Sequence, residues 1–269
     1  MRRPSGYERA SRTAAPGMKM ISSRALRQLL WVEVLQTWRQ PIGLVWGVGV
    51  PILLLFVFGK VIPGTNRPIT PGNELTILDV YIPVLFAMAL TLLALASLPV
   101  PLVTYREQGW LRRLSTTPVR PIWLLAAQVG INLALAMATL LVVVLGGAIG
   151  FGARLPGNPG GFVLGAFLVT VAIFALGLLV AAVAPSQGWA SVIGGILFFP
   201  LLFLGGLWYP LQDMPATLRT IAGYSPLTAG VSAMQGAMQG VFPSARDLLV
   251  LVAFAVVFGI GAARLFRWE

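Results

Sequence analysis

The sequence predicts an all-α integral membrane protein, six transmembrane helices preceded by an amphipathic interfacial helix, with both termini cytoplasmic. Three observations predict it. Hydrophobic residues fill 57% of the 269 positions and charged residues only 10%, against about 25% charged in soluble domains. The charge-free stretches are long, and a hydrocarbon layer about 30 Å thick needs about 20 helical residues to cross. Finally, Lys and Arg fall unevenly on alternate connections, as the positive-inside rule requires.

Residues 1–21 are basic and rich in Pro, Gly, Ser and Ala, with no apolar run. They are expected to be a disordered cytosolic tail and not a signal peptide, with Met18 and Met20 as alternative starts. Residues 22–40 open with Ser22 at a plausible N-cap and end before Pro41. Leu30, Trp31, Val34, Leu35 and Trp38 follow helical spacing, with Glu33, Gln36, Thr37 and Gln40 opposite. Such a helix lies along the membrane surface.

Residues 41–269 hold the spans. Charge-free stretches run Gln40 to Gly59 (20 residues), Val80 to Tyr105 (26) and Pro121 to Ala153 (33). Leu155 to Gln212 has 58 residues without a charge, and Pro185-Ser186-Gln187-Gly188 divides it in two. Leu248 to Ala263 has 16 residues, extended by a snorkelling Arg264 and the interfacial Phe266 and Trp268. The spans are therefore placed near 42–60, 80–103, 122–149, 161–184, 189–208 and 247–264, with a cytoplasmic loop at 104–121 and an outer re-entrant segment at 210–245, where Pro215 to Ile221 and Leu227 to Gln239 are expected to form short half-inserted helices. Fourteen of the nineteen basic residues then share the face of the termini and the 104–121 loop, which makes that face cytoplasmic.

Composition removes several chemistries. There is no Cys and no His, so disulfides, thiol catalysis, the usual zinc sets and imidazole proton shuttles are excluded. The basic residues flank apolar segments instead of forming a face with interleaved aromatics, so no nucleic-acid partner is expected. The spans carry no ionisable residue for a proton or sodium relay, since Glu74, Asp79, Asp213 and Asp247 fall at span ends or in outer loops, and only Gln128 and Asn132 are strongly polar within them. The one Gly-Lys pair, Gly59-Lys60, lacks the surroundings of a phosphate loop, so the chain is not expected to hydrolyse ATP.

A transporter with these features must take its energy from a cytosolic partner. Thr104 to Pro121 (TYREQGWLRRLSTTPVRP) has four arginines and one glutamate and is too short for a domain. A short surface helix from about Glu107 to Ser115 would present Trp110, Leu111 and Leu114 as apolar contacts within a charged rim. The same arginines would also satisfy membrane topology with no partner at all.

Four stretches resemble one family. WVEVLQTWRQPIGLVWGVGVPILLLFVFG (Trp31 to Gly59) resembles its surface helix and first span, with Arg39, Pro41 and Pro51 at familiar places. YREQGWLRRLSTTPVRPIWLLAAQ (Tyr105 to Gln128) is similar to its R-E-x-G-x-L-x-R-L-x-x-T-P loop; Arg106, Glu107, Gly109, Leu111, Arg113, Leu114, Thr117 and Pro118 are in register. Phe174 to Pro215 resembles its fourth and fifth spans and outer turn, and Ile221 to Gly240 the segment before its last span. The family is the permease subunits of ATP-binding-cassette type-2 (ABC-2) transporters, and the likeness covers roughly Ser22 to Glu269.

The resemblance implies a permease subunit of an exporter in the bacterial inner (plasma) membrane. ATP and Mg would sit on a separate ATPase and no cofactor on this chain, and a second permease chain, identical or homologous, would complete the complex. The cargo would be hydrophobic or amphiphilic, of the drug, antibiotic, lipid or glycan class. Coupling to the ATPase is assigned to Arg106, Glu107, Gly109, Trp110, Leu111, Arg112, Arg113 and Leu114. The connecting helix would contribute Arg27, Trp31, Glu33, Trp38 and Arg39. Phe199, Phe203, Trp208, Tyr209, Met214 and Leu218 are candidates for an outer gate or substrate path, although the aromatics also suit an interfacial belt. Met234 and Met238 are expected to pack, and Gly43/Gly47 and Gly161/Gly165 to allow close helix approach. The rival readings are an ion-coupled carrier and a membrane-embedded lipid-modifying enzyme.

Overall fold

The computed structural model describes residues 31, 42–65, 67–68, 75–108, 121–209 and 211–266. Among these the chain is helical, with one isolated β-bridge, Pro68 to Thr76. We number the helices α1 (42–61), α2 (Ile77–Glu107), α3 (Pro121–Phe151), α4 (Pro159–Val183), α5 (Gln187–Leu204), α6 (Ala216–Ala222), α7 (Pro226–Met238) and α8 (Ala245–Leu265). Five of them, α2 to α5 and α8, are long and apolar enough to cross a membrane. Helix α1 is apolar too but shorter in reach, 20 residues of which Val45–Gly49 and Val57–Val61 are π-wound. This is an all-α, multi-pass membrane fold.

Prolines shape α1 and α2. A proline inside a helix has no N–H to give and crowds the carbonyl four residues back. In α1 Pro51 disengages the Gly47 carbonyl, and Val45–Gly49 winds as a π-helix. The Thr139 hydroxyl of α3 lies 3.3 Å from that carbonyl and 2.8 Å from its own Leu135 carbonyl. In α2 Pro99 and Pro101 disengage the carbonyls of Leu95 and Ser97, and the turn Leu93–Ser97 is again a π-helix, closed by Leu98 N–H to Leu93 O at 2.9 Å. A straight helical pattern did not foretell either bulge.

The core is built around α2 and α4. In its most apolar stretch α2 is 78% buried, against 11% for α8. Phe86, Leu90, Leu93, Leu98, Ile173 and Met234 anchor one continuous cluster. Gly177 and Gly194 bring α4 and α5 onto the π turn of α2: a Cβ on Gly177 would overlap the Ala94 carbonyl oxygen, and one on Gly194 would lie 2.5 Å from that of Leu95. Glycine alone permits this approach, and the carbonyls released by the bulge meet Cα–H groups there.

The 210–245 segment divides in two. Ten of the thirteen residues of α7 are buried, including Met234 and Met238. At about 20 Å it enters the bundle without crossing it. Thr228 donates to the Leu204 carbonyl at 2.7 Å and Gln235 Nε2 to that of Val80 at 3.0 Å. Helix α6 lies exposed, with Arg219, Thr220 and Ile221 on the surface. Two half-inserted helices were expected there; the polar Thr217, Arg219 and Thr220 account for α6 staying outside.

Candidate coupling site

The bundle has two ends. One holds the start of α1, the α2 to α3 connection, the α4 to α5 turn and the end of α8; the other holds α6, α7 and the α3 to α4 turn.

At the first end, α2 runs without interruption through Thr104 to Glu107, residues expected to begin a loop. Glu107 is the last residue of that helix, not the first of a short one at 107–115, and it is exposed. Tyr105 is buried against Leu124 of α3. Arg106 Nη2 donates to the carbonyl of Ala184. That carbonyl belongs to the residue after α4, where the backbone turns extended. Helix-end carbonyls lack intrahelical partners and carry the negative end of the macrodipole, so a guanidinium is well matched to them. Thr104 donates to Val100 O at 2.8 Å and its hydroxyl lies 3.3 Å from Gln187 Oε1, at the first residue of α5. The end of α2 is thus tied to α3, α4 and α5.

Of the other coupling candidates, Gly109, Trp110, Leu111, Arg112, Arg113 and Leu114 lie outside the described residues. So do Arg27, Glu33, Trp38 and Arg39 of the connecting helix; Trp31 is helical and 64% exposed.

The gate candidates do not converge. Phe199 and Phe203 lie on the exposed side of α5, which ends at Leu204 instead of 208; the chain turns at Gly206 (φ +84°), so Trp208 and Tyr209 follow the helix. Phe199 stacks on Trp208 at 6.1 Å between centroids, and the Tyr209 hydroxyl donates to Asp213 O at 2.9 Å. Met214 is 2% exposed and packs inward, and Leu218 is half-buried.

Sequence reasoning missed the Ala184 to Gln187 turn as the partner of Arg106, and the π turn at Leu93–Ser97; the Pro99-Val100-Pro101 triplet was the available signal for the latter. It also left Gln128 and Asn132 without a place. They lie one turn apart on α3, buried, with Gln128 Oε1 and Asn132 Oδ1 unpartnered.

Six apolar helices, a buried re-entrant helix and a long second span braced at one end define a multi-pass transport subunit. Residues 24–239 match the family model described as "ABC-2 type transporter", and the chain belongs to that family. It is similar to "Putative transport permease YvfS" of Bacillus subtilis (strain 168), 24% identical over 84% of this chain and 90% of the relative. It is also similar to "Putative transport permease ycf38" of Pyropia yezoensis, 29% identical over 77% and 71%. A shorter match, 30% identical over 26% of this chain and 27% of the relative, is to "Nodulation protein J" of Rhizobium leguminosarum bv. viciae. Membership makes the chain a permease subunit, the membrane component of an ABC transporter that works with an ATP-binding-cassette ATPase.

Proposed function

We propose that this permease is an exporter subunit in the plasma membrane, both termini cytoplasmic, moving a hydrophobic or amphiphilic cargo outward. Drugs, antibiotics, lipids and glycans are the candidate classes. ATP and Mg act on the partner ATPase, and a second permease chain completes the transport path. The observation that carries this reading is the bracing of the α2 end: Arg106 and Thr104 link the helix that enters the 109–120 segment to the turn between α4 and α5. A push on that segment would reach three helices together. The uneven spacing of Lys and Arg along the sequence, fourteen in the segments before the first span, between the second and third and after the last against five in the other connections, supports a cytoplasmic placement.

The test uses proteoliposomes holding the permease and the ATPase that co-purifies with it. Glu107→Ala and Leu111→Asp should abolish ATP-driven transport of a fluorescent amphiphile while both variants insert normally. Normal flux from both overturns the coupling role. A reporter at residue 110 that labels from outside intact cells overturns the orientation.

A further inference from the structure

At the end of the bundle opposite Arg106 there is an open surface cavity of ≈ 540 Å³ lined by Ala216, Arg219, Thr220, Tyr224 and Arg246, with both arginines exposed. It joins two elements distant in sequence. Arg219 comes from α6 and Arg246 from the first turn of α8. The Arg246 guanidinium carbon sits 4.7 Å above the Tyr224 ring. Its Nη2 occupies the space a side chain at position 223 would fill, 2.7 Å from where a Cβ on Gly223 would lie. Stacking and a missing side chain therefore hold this guanidinium in place.

Neither arginine forms an ion pair with a described residue, although Asp213 and Asp247 lie on neighbouring elements. The Asp247 backbone N–H is held by Ser244 Oγ at 3.1 Å, and Asp79 is engaged with Thr76 and Arg154. Two fork-shaped donors thus share one cavity with no anion to match them. Guanidinium groups suit phosphate oxygens, which they can grip with two parallel bonds.

Position narrows the ligand. Arg246 is the second residue of a 21-residue span, at the depth where hydrocarbon gives way to head groups. Ile221, Tyr224, Val241 and Phe242 are exposed nearby in the chain, apolar or amphipathic surface suited to acyl chains below such a head group.

We infer that the cavity between α6 and the start of α8 binds a phosphate-bearing anion, supplied by the head group of an acidic membrane lipid or by free phosphate. Arg219 and Arg246 hold the phosphate, and Tyr224 orients Arg246. The site does not depend on which cargo is moved, and its test needs no ATPase.

Full-length chain is reconstituted in nanodiscs of phosphatidylcholine with a minor share of phosphatidylglycerol, and native mass spectrometry counts the lipids retained on release. The wild type should retain phosphatidylglycerol in preference to phosphatidylcholine. Arg219→Gln/Arg246→Gln should weaken that retention about tenfold, while Arg264→Gln, at the other end of α8, should not change it. Loss of the bound lipid on adding millimolar inorganic phosphate assigns the site to the phosphate group from either source; resistance to it assigns the site to the lipid. Should the double variant misfold, Tyr224→Leu keeps both charges and removes the stack, and should weaken retention about threefold. Equal retention of the two lipids by the wild type overturns the inference, as does wild-type retention in the double variant or, where that variant misfolds, in Tyr224→Leu.

Discussion

The two ends of the bundle are held by different chemistry. At the end with α7, backbone groups do the holding: Asn158 N–H donates to Ala237 O at 2.9 Å, and Arg154 N–H to Asp79 Oδ1 at 2.7 Å. The other oxygen of Asp79 takes the N–H and hydroxyl of Thr76, both at 2.8 Å, and the carboxylate is fully buried. At the end with Arg106, long side chains reach a single turn, and Gln187 and Glu107 are open to solvent. Parting the first set strands the Asp79 carboxylate and the carbonyl of Ala237, both on fully buried residues, at about 1–3 kcal/mol each. Parting the second strands only the carbonyl of buried Ala184, since Thr104 and Arg106 are half-buried and Gln187 is exposed, so their polar groups can turn to water. Rearrangement within one chain therefore strands one buried group where the partner ATPase is proposed to dock and two, one of them a carboxylate, at the other end.

The largest expected effect comes from cutting the link between the ends. Gly177→Val places a branched side chain against the Ala94 carbonyl and should destabilise the chain by more than about 3 kcal/mol, seen as loss of monodisperse protein in detergent. A melting temperature within a degree of wild type would show that α2 and α4 slide freely. Next, Asp79→Ala orphans the backbone N–H groups of Thr76 and Arg154 and should cost about 2–4 kcal/mol, while Asp79→Asn keeps an acceptor and should cost about half that. Equal losses in thermal unfolding would mean the charge, not the geometry, holds that end. Thr139→Val should cost about 1 kcal/mol, the net value of a hydroxyl placed between the Leu135 carbonyl of its own helix and the Gly47 carbonyl that Pro51 has disengaged.

The helical class and the six apolar stretches were legible because their signal is composition over 20 residues, which tertiary context seldom overrides. The ends of helices were less so. Nothing local in Thr104 to Glu107 distinguishes a loop from one more turn of helix, and the deciding contact is Arg106 to Ala184, 78 residues away. Likewise Trp208 looked like span because it is apolar, but Gly205 and Gly206 turn the chain first. Asp79 read as an ordinary outer acid; that it is buried depends on Arg154, which sequence spacing does not bring near. The fate of α7 was half visible: its Met and Ala residues suit burial, whereas its depth follows from Thr228 and Gln235 reaching carbonyls of α5 and α2.

The smallest effect on stability, and the sharpest on the comparison, is expected at Arg106. Arg106→Ala removes one side-chain bond to the carbonyl of buried Ala184, which water can reach in place of the truncated, half-buried side chain, and should cost under about 1 kcal/mol of stability. If the bracing carries motion, the same variant should still bind the ATPase but uncouple it, so that ATP hydrolysis continues while transport falls about tenfold or more. Arg106→Lys should restore little, because one ammonium must span the distance that the longer fork reaches at Ala184. Equal loss of ATPase binding and transport would instead assign Arg106 to the docking surface. Unchanged transport would mean that the α4 to α5 turn follows the second span through the Gly177 and Gly194 contacts alone, leaving the two ends joined only by the packed middle of the bundle.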